Sequence, residues 1–256
     1  MKNLYGNVAM DFNKYRSGYP SKFYKKLKEH YNIPLKNQRV LDIATSNGLA
    51  ARDLAYQDCV VTGLDNSVEL INEAKEINQV EKLNIEYLVG DVSGLPFDDM
   101  SFNLVTAVHC WKVLPTYEAC SEAFRVLKKD GKLIIAQFDQ IPVNENIVSK
   151  TERLVSDFNF EWKKQNRTGI YPEWVKEIYE VGFSKVETFS FDIDITFTHE
   201  QWRGRMRTDA AIGGSLSPEE VHLFDLELES LLKTNYSSDV LKVPHRMFSI
   251  VCDKAN

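Results

Sequence analysis

The chain has 256 residues, a formal net charge of −6 at pH 7, and 43% hydrophobic and 27% charged residues. This length and composition are typical of a globular protein that can bury a full core without disulfide bonds or structural metals. The acidic balance and the short basic runs argue against a nucleic-acid surface, because neutralising phosphates requires clustered Lys and Arg residues.

The cysteines and the apolar runs exclude further classes of protein. Four cysteines occur with no Cys-x-x-Cys spacing, so we expect neither a disulfide framework nor a metal cluster. The N-terminus lacks an apolar signal segment, and no apolar run is long enough to span a bilayer. We therefore expect a cytoplasmic protein without a membrane partner, as a monomer or a homodimer.

The first 36 residues read as an entry segment before the first strand. Residues 11–20 combine aromatic side chains with Arg16, Gly18 and Pro20, and an amphipathic helix is predicted from Ser21 to Tyr31. One interpretation is a lid that folds over a ligand, and the alternative is a surface turn with aromatic anchors.

A short apolar run ends at Asp42, several small residues follow, and a helical pattern then begins. This order predicts a strand, a tight loop and a helix, an arrangement that places a ligand over the strand end. Ala44, Ser46 and Gly48 occupy the small positions of the loop. If Ala44 or Ser46 requires a left-handed backbone, the conformation costs about 1–2 kcal/mol.

The same pattern repeats along the chain. Predicted strands over residues 60–65 and 85–89 are followed by helical or turn signals and end at Asp65 and Asp91. A fourth strand ends at Val108, directly before His109. A fifth is predicted over residues 132–138, after a tight turn at residues 129–131.

These motifs resemble the class I, Rossmann-like S-adenosylmethionine-dependent methyltransferases of the small-molecule type. Their first motif reads acid-x-Gly-x-Gly-x-Gly, and Asp42-x-Ala44-x-Ser46-x-Gly48 matches it in register with two glycines replaced. The glycine motif is therefore degenerate. The resemblance continues through residues 122–136 and covers roughly the first 140 residues.

The expected fold is α/β: a doubly wound, mostly parallel seven-stranded sheet with an antiparallel last strand and helical cap insertions. Period-two alternation over residues 189–197 predicts a half-buried strand near one side of the sheet. Capping boxes at Thr198 and Ser217 predict two helix starts, and residues 244–252 read as the last strand. We expect one domain over residues 1–256, with a lid segment at 1–36, a cofactor-binding core at 37–140, and cap insertions at 141–170 and 198–242.

The resemblance implies S-adenosyl-L-methionine as the cofactor and assigns residues to it. The loop would face the methionine part, Asp65 the ribose hydroxyls, and Asp91 with Val92 the adenine. The alternatives are a helix N-cap for Asp65 and a turn residue for Asp91. The expected cofactor-binding residues are Tyr15, Arg16, Asp42, Ala44, Thr45, Ser46, Gly48, Asp65, Asn66, Asp91, Val92 and His109.

Two further segments supply the residues that we expect to contact the methyl acceptor. His109 follows the fourth strand and could act as a general base, although a packed or positioning histidine fits equally well. Arg203 and Arg207 share a predicted helix face beside Trp202, which favours an anionic acceptor. The alternative is a solvated face paired with Glu200 or with the acidic helix that follows. The candidate catalytic residues are His109, Trp111 and Arg203, and the candidate substrate-binding residues are Tyr19, Trp111, Tyr171, Trp202, Arg203 and Arg207.

The sequence therefore predicts transfer of a methyl group from S-adenosylmethionine to a small-molecule acceptor. Residues 109–112 stand where amino-methylating nucleic-acid enzymes place an Asn/Asp-Pro-Pro-Tyr motif, which favours a metabolite. Two alternatives stay open. One is an S-adenosylmethionine-binding enzyme with other chemistry, such as cyclisation or elimination, and the other is a non-catalytic cofactor-binding protein.

Overall fold

The computed structural model describes residues 14–15, 18–33, 36–162 and 168–255. Strands and helices alternate through the first half of the chain, as the hydrophobic periodicity predicts. The strands are β1 (Arg39–Ile43), β2 (Val60–Asp65), β3 (Glu86–Val89), β4 (Phe102–Val108), β5 (Leu127–Gln140), β6 (Phe183–Thr198) and β7 (Val240–Lys254). The helices are α1 (Ser21–Tyr31), α2 (Leu49–Ala55), α3 (Val68–Glu81), α4 (Thr116–Val126), α5 (Ile147–Phe158), α6 (Glu173–Val181), α7 (His199–Arg207) and α8 (Pro218–Asn235).

The strands form one seven-stranded sheet in the order β3-β2-β1-β4-β5-β7-β6. The pairings from β3 through β5 are parallel, and antiparallel strands complete the sheet. Asp42 pairs in register with Gly63 of β2 on one side and with Thr106 of β4 on the other. The strand order reverses around β1, and ligands of such sheets bind at the carboxyl ends beside the reversal.

The predicted fold class is confirmed, and so are several local signals. Thr198 and Ser217 both cap their helices with complete capping boxes. In the edge strand β6, residues 189, 191, 193 and 195 are half-buried, whereas the even-numbered residues between them are exposed. Period-two alternation correctly indicated a strand with one face covered.

The fifth strand differs from its prediction. We expected a tight turn at residues 129–131 and a strand from Lys132, but β5 already begins at Leu127. Phe102 pairs with Leu127 and Leu104 with Lys132, so residues 128–131 bulge out of the ladder. Asp130 has a φ of 59° within the bulge, which explains why the segment carries turn residues although it lies inside a strand.

The chain divides into two compact units. One comprises Asp139–Gly169 and Asp192–Arg246 together with Lys14 and Tyr15, and the other comprises Gly18–Phe138, Ile170–Phe191 and the segment from Met247. We call the unit that contains Asp139–Gly169 the first unit and the unit that contains Gly18–Phe138 the second unit. The residues expected as cap insertions fall in the first unit, apart from Ile170, which belongs to the second.

Each unit has an apolar core of its own. The second unit's core is built on the sheet around Leu41, Val105 and Ile135, which are fully buried. In the first unit, Trp202, Phe224 and Leu228 belong to a separate cluster built mainly from α5, α7 and α8. Among the described residues, no helix is long and apolar enough to cross a membrane.

Candidate active site

The loop after β1 has an unusual backbone. Ala44, Ser46 and Gly48 have φ angles of 49°, 56° and 84°, so all three small positions lie in the left-handed region. These are the positions at which the methyltransferase motif has glycine. The loop thus keeps the conformation that glycine makes easy, although each non-glycine residue there costs about 1–2 kcal/mol.

Asp42 lies beneath this loop and is almost completely buried. Its Oδ2 accepts a hydrogen bond from Thr45 Oγ1 at 2.6 Å, and its Oδ1 accepts one from Thr106 Oγ1 at 2.6 Å. Burial raises the pKa of Asp42 to about 6, although the two threonine hydroxyls oppose that shift. Asp42 therefore ties the loop to β4, and this bracing is the role that its contacts support.

Asp65 holds the loop from the end of β2. Its Oδ2 accepts a hydrogen bond from the Ser46 main-chain N–H at 2.8 Å, and its Oδ1 accepts one from the Ser67 N–H at 2.9 Å. Burial raises the pKa of Asp65, while hydrogen bonds from the backbone of Ser67, Ser46 and Asn66 act in the opposite direction. Helix α3 is capped by the Ser67 side chain, which accepts from the Leu70 N–H.

Gly48 is required by space as well as by backbone conformation. A Cβ atom at this position would lie 2.1 Å from Oη of Tyr87, a buried residue of β3. Nearby, the Arg52 guanidinium donates to the carbonyl oxygen of Asn47 at 2.6 Å. Sequence reasoning missed Tyr87, Arg52 and Thr106, because each reaches the loop from another element and has no local signal.

Asp91 and Val92 follow β3, as expected. Asp91 is exposed, and its Oδ1 accepts a hydrogen bond from the Ser93 N–H at 2.8 Å, which is the contact of a turn residue. Val92 is buried in the core of the second unit. The turn reading of Asp91, left open by the sequence, is therefore present in this structure.

His109 lies at the carboxyl end of β4 with a left-handed backbone, at φ 62°. Its main-chain N–H donates to the Ala136 carbonyl at 2.7 Å. Its Nδ1 lies 2.9 Å from Nε2 of Gln137 and accepts from the Phe138 N–H at 3.4 Å. Tyr19 approaches the same strand end, where its hydroxyl donates to the Val108 carbonyl at 3.4 Å.

Two other predicted acceptor residues of the second unit pack among aromatic rings or in the core. Trp111 is fully buried in the core cluster. Tyr171 stacks on Trp174 with ring centroids 4.3 Å apart, and the Lys112 ammonium lies 4.6 Å from the Tyr171 ring centre. These contacts favour a structural role for Trp111 and leave Tyr171 partly accessible.

The predicted arginine pair in the first unit has internal partners. Arg203 forms ion pairs with Asp225 and Glu229, and Arg207 donates to Asp225 at 2.8 Å. Burial raises the pKa of Asp225, but the two guanidinium groups outweigh it and hold that pKa below its usual value. This is the alternative in which the arginines pair with the acidic helix that follows.

Trp202 and Tyr15 also pack within the first unit. Trp202 is almost fully buried and donates from Nε1 to Thr151 Oγ1 at 3.1 Å. The Tyr15 hydroxyl donates to Glu200 at 2.9 Å, and a Cβ added at Gly204 would lie 2.3 Å from the Tyr15 ring. Arg16, the other residue expected in the lid, lies outside the described residues.

The loop geometry leads to a prediction about its two non-glycine residues. Ala44→Gly and Ser46→Gly should each raise the free energy of unfolding by about 0.5–1 kcal/mol, since relief of left-handed strain exceeds the entropic cost of glycine. Urea denaturation measures the effect. The control Ala55→Gly, at the last residue of α2, should lower the free energy of unfolding by up to about 1 kcal/mol. Loop variants that lose as much as the control would contradict the left-handed assignment.

The burial of Asp42 leads to a pH prediction. Its pKa is about 6 in the folded protein, above the ordinary value of 3.8, so the folded state binds this proton more tightly than the unfolded state. The stability that the bound proton provides is therefore complete below pH 4 and is lost as the pH rises through 6.

The unfolding free energies of the parent and Asp42→Asn should be compared by urea denaturation between pH 4 and pH 7. Subtracting the unfolding free energy of the variant from that of the parent at each pH removes the contributions of the other titrating groups. The parent should lose about 2.5 kcal/mol relative to the variant over this range. A parent-minus-variant difference in unfolding free energy that is constant or grows with pH would contradict the raised pKa of Asp42.

Among the described residues, no group of three or more His, Cys, Asp or Glu side chains is placed to hold a metal ion. The hydrogen-bonded carboxylates and main-chain groups at the carboxyl ends of β1, β2 and β4 instead suit a polar organic ligand. Asp65 fits such a ligand, because a carboxylate has about four acceptor positions and the main-chain N–H groups of Ser46, Ser67 and Asn66 occupy only part of them.

Comparisons with known proteins agree with this geometry. Residues 41–135, which run from within β1 through the loop to Ile135 of β5, match the family described as a methyltransferase domain. A ubiquinone/menaquinone biosynthesis C-methyltransferase of Dinoroseobacter shibae is 23% identical over 229 residues, 79% of this chain and 90% of the relative. A demethylmenaquinone methyltransferase of Beutenbergia cavernae is 33% identical over 106 residues, but the match spans only 42% of that protein.

A similar solved structure is phosphoethanolamine N-methyltransferase 2 of Haemonchus contortus, in complex with S-adenosylhomocysteine and phosphomonomethylethanolamine. It has a TM-score of 0.61 and 19% identity, and the match covers 97% of this chain and 57% of that one. This likeness is one of fold. Taken together, the matched domain, the relatives and this fold indicate a class I S-adenosylmethionine-dependent methyltransferase.

Proposed function

We propose that this protein transfers a methyl group from S-adenosylmethionine to a small-molecule acceptor at the carboxyl ends of β1, β2 and β4. One observation carries the proposal. All three small positions of the loop, Ala44, Ser46 and Gly48, keep a left-handed backbone, and the buried carboxylates of Asp42 and Asp65 bind the same loop. A strained loop held in this way is typical of a preorganised ligand site.

In this proposal the loop residues Ala44, Thr45, Ser46 and Gly48 face the methionine part of the cofactor. Asp65, with Asn66, accepts hydrogen bonds from the ribose hydroxyls. Asp91 and Val92 flank the adenine. Asp42 supports the loop from beneath, because its two carboxylate oxygens accept hydrogen bonds from Thr45 and Thr106.

When bound, the cofactor would supply an electrophilic methyl group on a sulfonium. Methyl transfer is an in-line displacement, and the protein contributes mainly alignment and exclusion of water. His109 and Tyr19 lie at the end of β4 beside the loop strand β1, and we propose that they contact the reacting end of the ligands. Trp111 supports this end from the core.

The acceptor class follows from the charges and from the relatives. Arg203 and Arg207 are neutralised by Asp225 and Glu229, so they give no support to an anionic acceptor. Two relatives are named for ubiquinone, menaquinone or demethylmenaquinone methylation. Quinone precursors are therefore the first compounds to test, ahead of phosphate-bearing ones.

The function can be tested with purified protein, S-adenosylmethionine and the reduced, hydroquinone form of demethylmenaquinone or of a short-chain analogue, with products identified by mass spectrometry. Methyl transfer yields S-adenosylhomocysteine and a methylated acceptor. Methylthioadenosine would instead support cyclisation or elimination of the cofactor's side chain. Binding of S-adenosylhomocysteine without turnover of any acceptor would support a non-catalytic cofactor-binding protein, and no binding at millimolar concentration would contradict the proposal.

The cofactor site can be tested separately by binding. Asp65→Ala should weaken binding of S-adenosylhomocysteine by about 1–3 kcal/mol, because the ribose hydroxyls lose their acceptor and the loop loses a supporting hydrogen bond. Calorimetry measures the affinity. The matched control is Asp58→Ala, which removes an exposed carboxylate paired with Lys36 and should leave the affinity close to the parent value. Equal affinities for Asp65→Ala and the parent would remove Asp65 from the site.

A further inference from the structure

The environment of His109 determines which of its ring nitrogens carries the proton. Nδ1 accepts a hydrogen bond from the Phe138 main-chain N–H at 3.4 Å. A main-chain N–H can only donate, so Nδ1 must present a lone pair. The Gln137 side chain lies 2.9 Å from the same nitrogen, and its amide is consistent with this network when Nε2 donates.

A neutral imidazole has one protonated nitrogen and one lone pair. Since the lone pair of His109 is at Nδ1, its proton is at Nε2. A proton on Nδ1 would face two donors, the Phe138 N–H and the Gln137 amide. The Phe138 N–H therefore opposes the tautomer that would leave a lone pair on Nε2, and the Gln137 amide opposes it in the orientation in which its Nε2 faces His109.

The ring position is fixed as well as its tautomer. His109 has a left-handed backbone at φ 62°, an uncommon conformation for a residue other than glycine, and its N–H is bound to Ala136. Gln137 is 3% exposed and Phe138 is 7% exposed, so the two donors are held in packed surroundings. His109 itself is half-buried. Strain at a partly accessible strand end of this kind is typical of functional positions.

We propose that Gln137 and the Phe138 amide hold His109 in its Nε2–H form, so that His109 donates a hydrogen bond to the bound ligands and does not act as the general base. The catalytic part of this inference rests on the proposed methyl transfer. Gln137 is then a positioning residue, because it acts through His109.

This assignment restricts the acceptor. A base would have to remove a proton from the nucleophile, and Nε2–H has no lone pair for it. His109 therefore does not deprotonate the nucleophile, and we expect the nucleophile to attack with an electron pair that it already presents, as an amine, a phenolate or an electron-rich ring carbon does. The bond from the nucleophile to the methyl carbon forms while the carbon–sulfur bond breaks and its electron pair goes to sulfur. Any proton on the product leaves later to water.

The tautomer can be read directly, without any activity. Long-range ¹H–¹⁵N correlation NMR at pH 8 distinguishes protonated from unprotonated ring nitrogens, and His109→Gln assigns the signal by its loss. The expected result is an unprotonated Nδ1 and a protonated Nε2, both with and without S-adenosylhomocysteine. In Gln137→Glu, whose carboxylate accepts, the proton should move towards Nδ1. A protonated Nδ1 in the parent protein would overturn the proposal even if methyl transfer is confirmed.

Kinetics provide the second readout once an acceptor is known. In His109→Gln the side-chain amide keeps a donor near the position of Nε2, so kcat/KM should fall by less than about tenfold, whereas loss of a general base costs about 10²–10⁴-fold. Parent and variant should share one pH profile. A fall of 10²-fold or more, with a low-pH limb that is present only in the parent, would show that His109 is a base.

Discussion

Two buried carboxylates hold the loop on which the rest of this site depends. Asp42 at the end of β1 binds Thr45 and Thr106, and Asp65 at the end of β2 binds the Ser46 main chain. Together they connect the loop to β4 on one side and to β2 on the other. Desolvation raises the pKa of both carboxyls, which is an energetic cost of placing them under the loop.

The same constraint explains how the loop tolerates two non-glycine residues. A left-handed alanine and serine are unfavourable by themselves, but the loop has few alternatives. Ser46 is bound by its N–H to Asp65, Thr45 is bound through both its hydroxyl and its N–H, and Gly48 lies against Tyr87. The backbone conformation is thus maintained by surrounding contacts where related motifs rely on glycine. In the proposed function, this strain is the cost of a preformed binding surface.

Much of the fold could be predicted from the sequence, because its signals are local. The alternation of apolar runs with helical periodicity predicts the order of the elements. The capping boxes at Thr198 and Ser217 predict where two of the helices begin. The positions of Asp42 and Asp65 at strand ends were also visible. The bulge in β5 was misread as a turn before the strand, because bulges and turns use the same residues.

The contacts that shape the site could not be predicted in this way. Thr106, Tyr87 and Gln137 come from β4, β3 and β5, and they reach Asp42, Gly48 and His109 only through the strand order and register. The sequence likewise did not show which group pairs with Arg203. The sequence showed two arginines on one face but could not decide between a ligand and Asp225.

A crystal structure of the protein with S-adenosylhomocysteine tests the central claim most directly. The account predicts that Ala44, Ser46 and Gly48 keep positive φ angles around the ligand and that a ribose hydroxyl lies within hydrogen-bond distance of Asp65. It also predicts that Asp42 still binds Thr45 and Thr106. A loop that abandons its left-handed residues on binding, or a ligand away from the ends of β1 and β2, would contradict the account.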